Sequence, residues 1–458
     1  MLRAVANTEW GWKKEDLLKV YLAHFNRVMN YAGFAWQPST AQSHLENLDR
    51  LQNRALRIIT GQYQSTPVDA LRREVGIPSM KTQASRNSIK AAEKCVRLPE
   101  DHPRRIAFDT AVAAPRNKRQ SWRSQAEQLK VSLPAGMENR RAISYFDHLP
   151  WLSASNLEIF PQLYEIKRTD PENVKKNAAL QRIREVNAET TIYTDGSAFA
   201  GIFEGGSAVV VTEGDPASPT TIHSIQRKGA PFTCSYEEEV DAIIAATEWI
   251  RDNITDGSST MICTDSQSLC QALQAFNLET EIIRKNASDC SGSIVLQWIP
   301  GHSAIPGNDL ADEEAKKATE LETDKRAVSF RSACTMIKRT YKDQPSHART
   351  EKVYKYFSKE KEKDITTRAD QVNLAQLRSG HHKSLKAYAN RLDDEVDPTC
   401  PDCGEEPQDL EHWFERCKGV QITTLKQQMF GGETVKDVGL LTKCPKESVT
   451  LARRSILG

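Results

Sequence analysis

The stretch TIYTDGSA at residues 191–198 decides how the central part of this chain folds. Its first four residues favour a short β-strand, and Asp195-Gly196-Ser197 is typical of the turn that ends one. Similar runs, bounded by Gly, Asp or Pro, follow it. They predict four further strands, at 207–211, 220–225, 261–264 and 293–299.

Helical patterns separate the later strands. Apolar residues at helical spacing predict helices at 235–250, 266–275 and 278–289, and a last helix starts near Asn308, a good N-cap. Three consecutive strands followed by alternating helices and strands predict an α/β domain, a mixed sheet with helices on its faces.

Two carboxylates follow strands of this sheet. Asp195 ends the first strand and Asp265 ends the fourth, so both can reach one edge of the sheet. Asp-Gly is also common turn chemistry, which explains Asp195 equally well when it is taken alone.

A third carboxylate lies on a helix face. Glu237, Glu238 and Glu239 open the helix at 235–250, and at about 100° per residue only Glu239 lies on its apolar face. The other two should face water, where the helix dipole favours them. A carboxylate on a buried face needs a cation or hydrogen bonds.

The last helix supplies a fourth acid. Asp312 stands ten positions after His302, which lies in a loop after Gly301. Several acids share this first part of the helix, so complementarity to the helix dipole is an alternative explanation. These acids are Asp309, Asp312, Glu313 and Glu314.

Charge is segregated along the chain. Residues 190–320 hold twenty acids and seven bases, a net charge of −13, so the remainder carries +14. Residues 325–369 hold thirteen Lys or Arg against five acids. This pattern would arise if the acidic block binds cations and its basic neighbours bind a polyanion. It would also arise if both kinds of charge simply keep the protein surface solvated.

The four motifs resemble the type 1 ribonuclease H family. The matching stretches are TIYTDGSA (191–198), YEEEVDAI (236–243), CTDSQS (263–268) and WIPGHSAIPGNDLADEEAK (298–316). The resemblance implies a ribonuclease H fold, with a five-stranded sheet whose second strand is antiparallel. It implies Mg²⁺-dependent cleavage of the RNA strand of RNA–DNA hybrids. Two Mg²⁺ ions would be bound by Asp195, Glu239, Asp265 and Asp312, and His302 would aid proton transfer or product release.

A second metal site is predicted near the end of the chain. Cys400, Cys403, His412 and Cys417 have the ligand spacing of one tetrahedral Zn²⁺. With four protein ligands the zinc would be structural. The remaining cysteines are interpreted as packing residues of a reduced, intracellular protein. They are Cys95, Cys234, Cys263, Cys270, Cys290, Cys334 and Cys444.

The flanking regions resemble the back half of the polyprotein of a non-LTR, LINE-like retrotransposon. Residues 44–76 are similar to the helical region after the reverse transcriptase palm, and residues 377–381, LRSGH, with the cysteine cluster are similar to the C-terminal tail. No Tyr/Phe-x-Asp-Asp motif is present, so DNA polymerisation is not predicted.

The predicted organisation has six parts. They are a helical region (1–100), a partly helical linker (101–188), a ribonuclease H domain (189–322), a basic helical segment (323–398), a zinc knuckle (399–418) and a tail (419–458).

Three functions compete. The first is hybrid cleavage, and the second is an inactive, nucleic-acid-binding remnant that works through its zinc knuckle and basic segments. The third keeps the fold but acts on DNA, as integrases and junction nucleases do.

The basic segment interleaves aromatic residues with its basic ones. This pattern is typical of a site for single-stranded nucleic acid, and it is equally typical of a solvated helix face. No apolar run approaches the roughly 18 residues of a spanning helix, and no signal peptide is evident, so no membrane partner is predicted.

Overall fold

A computed structural model describes residues 2–37, 40–110, 122–143, 156–163, 166–167, 169–277, 280–322, 325–343, 346–358, 362–431 and 437–456. The chain divides into two compact units. The terminal unit comprises Met1–Ile89, Ala113–Leu129 and Tyr341–Gly458. The central unit comprises Lys90–Val112 and Lys130–Thr340.

The central unit is built on a six-stranded mixed sheet. Its strands are β1 (Leu157–Phe160), β2 (Thr190–Phe199), β3 (Phe203–Glu213), β4 (Thr220–Lys228), β5 (Thr260–Thr264) and β6 (Ile294–Trp298), in the order β1-β6-β5-β2-β3-β4. β3 runs antiparallel to both β2 and β4, while β2, β5, β6 and β1 are parallel. The five predicted strands and the antiparallel second strand are confirmed.

The sixth strand, β1, was not predicted. It lies within the region interpreted as a linker and pairs in parallel with β6, from Leu157↔Ile294 to Phe160↔Gln297. A four-residue strand has too little periodicity to be recognised by itself, and its partner lies far along the chain. Pairing with an existing sheet edge, rather than local propensity, makes this segment a strand.

Both units contain helices. The first seven are α1 (Leu2–Val5), α2 (Lys14–Val20), α3 (Arg27–Asn30), α4 (Gly33–Trp36), α5 (Gln42–Thr60), α6 (Val68–Val75) and α7 (Met80–Val96). The next eight are α8 (Pro103–Asp109), α9 (Trp122–Lys130), α10 (Glu172–Val186), α11 (Ser235–Asn253), α12 (Gln267–Gln274), α13 (Glu281–Ser288), α14 (Pro306–Ala318) and α15 (Phe330–Thr340). The last six are α16 (Ala348–Val353), α17 (Arg368–Arg378), α18 (Lys386–Leu392), α19 (Val420–Phe430), α20 (Leu440–Lys443) and α21 (Pro445–Ser455). Two π-helical turns occupy Tyr21–Asn26 and His412–Arg416.

Apolar side chains cover both faces of the sheet. On one face Ile192, Val209 and Ile262 pack with α11, α12 and α13. On the other face Tyr193 and Val210 pack with α10 and α14. Successive side chains of a strand point to opposite faces, so alternate residues of β2 and β3 enter different clusters. This packing on the two faces places α11 and α14 against the sheet.

The terminal unit is held together by a buried ion cluster. Lys14 Nζ lies 2.8 Å from Glu74 Oε1 and 2.9 Å from Glu362 Oε2. Arg378 Nη1 lies 3.2 Å from Glu74 Oε1, and its Nη2 lies 2.7 Å from Glu362 Oε1. Two cations thus face two carboxylates away from water, and the loss of any one leaves an unpaired buried charge.

Removing the Glu362 carboxylate should destabilise the terminal unit at neutral pH. Burial alone would raise the pKa of Glu362, but the charges of Arg378 and Lys14 outweigh it and lower the pKa to about 2. The carboxylate therefore adds stability above its unfolded pKa of 4.5, and that stability is lost as the pH falls toward 2. For Glu362→Gln we expect a loss of about 3 kcal/mol in unfolding free energy at pH 7.

Urea unfolding at pH 7 and at pH 4 checks this expectation, because the difference from wild type should shrink at the lower pH. The control is Glu351→Gln, which breaks the half-exposed pair with Arg73 and should cost less than about 1 kcal/mol. An equal loss of unfolding free energy in the two variants would contradict the expectation that the buried ion pair contributes more than the exposed one.

Candidate active site

Two carboxylates meet where parallel pairing in the sheet stops. β2 and β5 pair up to Thr194↔Thr264, and Asp195 and Asp265 are the next residues along each chain segment. The predicted turn at 195–197 is wrong, because β3 continues to pair with β2 as far as Phe199. Asp195 is therefore fixed by strand pairing on one side while its other side faces the site.

The third carboxylate reaches the same point from α11. A Cβ atom at Gly196 would lie 2.2 Å from the backbone nitrogen of Glu239, so only glycine lets β2 approach the helix this closely. The N–H of Gly196 hydrogen-bonds the Glu239 carboxylate. Glu239 is buried, as its place on the apolar face predicts.

The prediction that Glu238 faces water is wrong. Its side chain is buried and hydrogen-bonds the hydroxyl of Thr233 at 2.6 Å. Arg326 pairs with Glu238 and also with Asp241, one turn further along α11. Since Arg326 lies beyond α14, helical periodicity alone could not reveal that this segment covers α11.

The three acids form one cluster. Asp195, Glu239 and Asp265 each offer an oxygen within 4.8 Å of the others. They line a cavity of about 260 Å³ together with Asp312 and His302. Asp312 is not one of the clustered three, and it forms an ion pair with Lys316 at i,i+4 on α14. The other residues that line the cavity are Gly196, Ser197, Ala198, Ser235, Asn308 and Asp309.

His302 stands at the cavity as an exposed side chain. Its backbone has φ of +50°, in the left-handed region, and its positive charge when protonated would favour the ionised form of Asp265. The adjoining Gly301 is needed for space, since a Cβ atom there would lie 2.4 Å from Asp265 Oδ2.

Sequence reasoning missed the role of Asn308. It was predicted to cap the last helix, but α14 begins at Pro306, so Asn308 lies within its first turn. The side chain is buried and hydrogen-bonds the Asp265 carboxylate. Proline favours the first position of a helix, so Pro306 could have indicated that the helix begins there, before Asn308.

The acids make the site strongly unfavourable for negative charge. Burial, then the charges of Asp265 and Asp312, raise the pKa of Asp195 to about 7. Burial raises the pKa of Glu239 well above its usual value, with Asp195 and Asp265 adding to it. Burial raises the pKa of Asp265 as well. Among described buried atoms, Glu239 Oε2 has no hydrogen-bond partner. This donor set fits a hard divalent cation, which would satisfy that oxygen and neutralise the repulsion.

The second cluster lies in the terminal unit. Cys400, Cys403, His412 and Cys417 each offer a ligand atom within 4.8 Å of the others. Cys403 Sγ lies 3.3 Å from His412 Nε2. The other ring nitrogen, Nδ1, lies 3.1 Å from Glu406 Oε2. That contact favours the tautomer with the proton on Nδ1, which leaves Nε2 free to bind a metal.

Comparisons with known proteins cover the central unit. The RNase H family model matches residues 187–320. No curated protein matches the chain. In the described part of the chain no helix is long and apolar enough to cross a membrane.

Three solved structures resemble 28–29% of the chain. RNase H1 from Halobacterium salinarum NRC-1 is 19% identical, has a TM-score of 0.25 and is covered over 97% of its length. The N-terminal RNase H domain of rv2228c from Mycobacterium tuberculosis, a fusion with maltose-binding protein, is 16% identical, with 94% coverage and a TM-score of 0.25. LC11-RNase H1, in complex with an RNA/DNA hybrid, is 20% identical, with 98% coverage and a TM-score of 0.24.

The family match and the sheet topology agree on the central unit. Residues 187–320 form an RNase H domain, a hydrolase domain with the RNase H-like fold.

Proposed function

We propose that residues 189–322 hydrolyse the RNA strand of RNA–DNA hybrids with Mg²⁺ as the cofactor. The observation that carries this proposal is the convergence of Asp195, Glu239 and Asp265 within 4.8 Å, from three separate elements of the fold. Buried carboxylates without a paired cation are unstable, so their convergence argues for a metal-binding role. The RNase H family match supports the choice of substrate.

The residues that would hold Mg²⁺ are Asp195, Glu239, Asp265 and Asp312. When bound, two such ions activate a water molecule and stabilise the leaving 3′-oxygen of the RNA. Asp312 lines the same cavity and is half-buried, and its partner Lys316 is exposed, so its carboxylate can leave Lys316 and join the other three.

The remaining side chains of the site orient these ligands and move protons. Asn308 fixes the Asp265 carboxylate by a hydrogen bond, and the N–H of Gly196 does so for Glu239. His302 is exposed beside Asp265, where an imidazole can exchange a proton with water. We propose that it aids proton transfer at the leaving oxygen or the release of product.

A cleavage assay with three labelled substrates tests this function. The full-length protein with Mg²⁺ should cut the RNA of an RNA–DNA hybrid and leave single-stranded RNA of the same sequence intact. It should also leave duplex DNA of that sequence intact. Cleavage of duplex DNA instead would favour the integrase-like alternative. Binding of hybrid without any cleavage would favour the inactive remnant.

We further propose that the chain derives from the polyprotein of a LINE-like retrotransposon, with the six parts stated above as its organisation. The support is the similarity of residues 44–76 and 377–381, together with the cysteine cluster, to that polyprotein. A genomic locus whose transcript joins this reading frame to a polymerase motif would support the origin. A locus without any such segment would contradict it.

A further inference from the structure

Two segments of the terminal unit carry basic residues and no acidic residue. Residues 50–68 contain three arginines. Residues 378–391 contain four lysines or arginines and two histidines. Acids are as frequent as bases in the whole chain, so such segments produce a local excess of positive charge.

The fold brings the two segments together through hydrogen bonds. Gln62 Nε2 donates to the carbonyl of Ala375 at 2.9 Å, and Gln376 Nε2 donates to the carbonyl of Gly61 at 2.7 Å. Ala375 and Gln376 come just before the second segment in the chain, so these two contacts tie the first segment to the residues that lead into the second. Between the two segments themselves, Ser65 hydrogen-bonds both Tyr388 and His381.

Three aromatic rings lie at this junction. The ring centroids of Tyr388 and His381 are 4.9 Å apart, and those of Tyr388 and Tyr63 are 6.0 Å apart. Tyr388 is buried, whereas Tyr63 and His381 are half-buried and expose part of each ring. The Ser65 hydroxyl hydrogen-bonds the Tyr388 hydroxyl at 2.7 Å and His381 Nδ1 at 3.0 Å. The rings are therefore held in place before any ligand arrives.

Two basic side chains lie near the half-buried rings. Lys383 Nζ lies 5.8 Å from the ring centroid of Tyr63, and Lys383 and Arg391 are both exposed. Burial, then the charges of Arg349 and Arg391, lower the pKa of His381. Its imidazole is therefore neutral at pH 7 and can stack as an uncharged aromatic ring. We name Tyr63, His381, Tyr388, Lys383 and Arg391 the aromatic-basic patch.

Hydrogen bonds through Gln408 link the cysteine cluster to the helix that carries Tyr388. The backbone N–H of Ala387 donates to the carbonyl of Gln408 at 3.2 Å. The backbone N–H of Lys386 donates to Oε1 of the same residue at 3.4 Å. The side chain of Gln408 in turn donates to Cys400 Sγ at 3.9 Å. The start of α18 is thus tied to a cysteine of the cluster.

We propose that the aromatic-basic patch binds a single strand of nucleic acid. The exposed rings of Tyr63 and His381 would stack on bases, while Lys383 and Arg391 would contact phosphates. Aromatic platforms flanked by cations bind strands of any sequence in this way. An acidic peptide would use the cations but would gain little from the rings. The inference is independent of the proposed hydrolysis, since it concerns other residues and needs no Mg²⁺.

Fluorescence anisotropy with labelled 20-nucleotide strands, one of RNA and one of DNA, tests the proposal. The full-length protein is titrated without Mg²⁺ and without chelator, so that hydrolysis does not interfere. Tyr63→Ala should weaken binding about 5- to 100-fold, since stacking of one base on an aromatic ring is lost. Tyr63→Phe keeps the ring and should bind like wild type.

The cations are tested by the double variant Lys383→Ala with Arg391→Ala. Its affinity should fall, and the slope of log K against log salt should decrease by roughly 1.4, because two phosphate contacts are lost. The matched control is Lys446→Ala with Arg454→Ala, two exposed basic residues of α21. This control should change the affinity less than about twofold.

Three outcomes overturn the proposal. The first is wild-type affinity in both Tyr63→Ala and the Lys383 and Arg391 double variant. The second is an equal loss in the Lys446 and Arg454 control, which would mean unspecific charge attraction. The third is the absence of binding to either strand, which would leave the patch as a protein-docking surface. Circular dichroism and the zinc content of each variant separate lost binding from lost folding.

Discussion

Replacing Asp265 by asparagine should reduce the cleavage of RNA–DNA hybrid about 10³-fold or more. The change removes one of three clustered carboxylates and keeps the size of the side chain. Mg²⁺ prefers charged carboxylate oxygens, and bound metal contributes several kcal/mol to the stabilisation of the transition state. Single-turnover cleavage at saturating protein measures the effect.

The same variant should be more stable than wild type when no metal is present. Burial raises the pKa of Asp265, so its charged form costs stability in the fold, and a neutral asparagine removes that cost. We expect the Tm of the metal-free protein to rise by about 2 °C. Added Mg²⁺ should raise the Tm of wild type more than that of the variant.

A loss of cleavage together with a higher Tm would show that the variant has lost a metal ligand and has kept its fold. The matched control is Asp289→Asn, an exposed acid at the end of α13, which should leave cleavage unchanged. Full activity in Asp265→Asn would refute the proposed site, and so would an equal loss in Asp289→Asn.

Replacing Cys400 by serine should abolish zinc binding and unfold much of the terminal unit. Cys400 and Cys417 belong to one hydrophobic cluster with Leu410, Trp413 and Phe414, so the metal and this core are formed together. Structural zinc contributes about 10–16 kcal/mol of binding free energy in small domains. We expect the Tm of the terminal unit to fall by at least about 10 °C.

Zinc content and hydrogen exchange measure this effect. Wild type should contain one zinc per chain, and backbone amides around Trp413 should lose protection in Cys400→Ser. The control is Cys444→Ser, a half-buried cysteine outside the cluster, which should retain its zinc. Wild-type stability in Cys400→Ser, or zinc loss in Cys444→Ser, would show that the four residues do not hold a structural metal.

The motif spacing predicted much of the site. Asp195, Glu239 and Asp265 could be chosen from strand ends and a helix face, and the structure places their oxygens together. Strand ends and helix faces are local patterns, because a side chain's direction follows the period of its own element. The cluster of cysteines and His412 was predictable from another local pattern, since its four members lie within eighteen residues of sequence.

Other features depend on partners that are distant in sequence. Glu238 is buried in a pair with Arg326, and β1 pairs with β6 at the edge of the sheet. Asp312 lines the same cavity as the other acids, and its pairing with Lys316 at i,i+4 is a contact that helical spacing allows. Local periodicity contains no information about the pairing of Glu238 with Arg326 or of β1 with β6.

The sequence by itself therefore predicted the RNase H-like sheet, the acids that converge beside it and the cluster of three cysteines and a histidine. These features are encoded in short motifs and in the periods of single elements. The tertiary structure alone decided which acids lie within reach of one another, how Asn308 and Gly196 hold them, and how residues 50–68 meet residues 378–391. Such contacts arise when long-range packing brings distant segments together, and no local pattern specifies that packing.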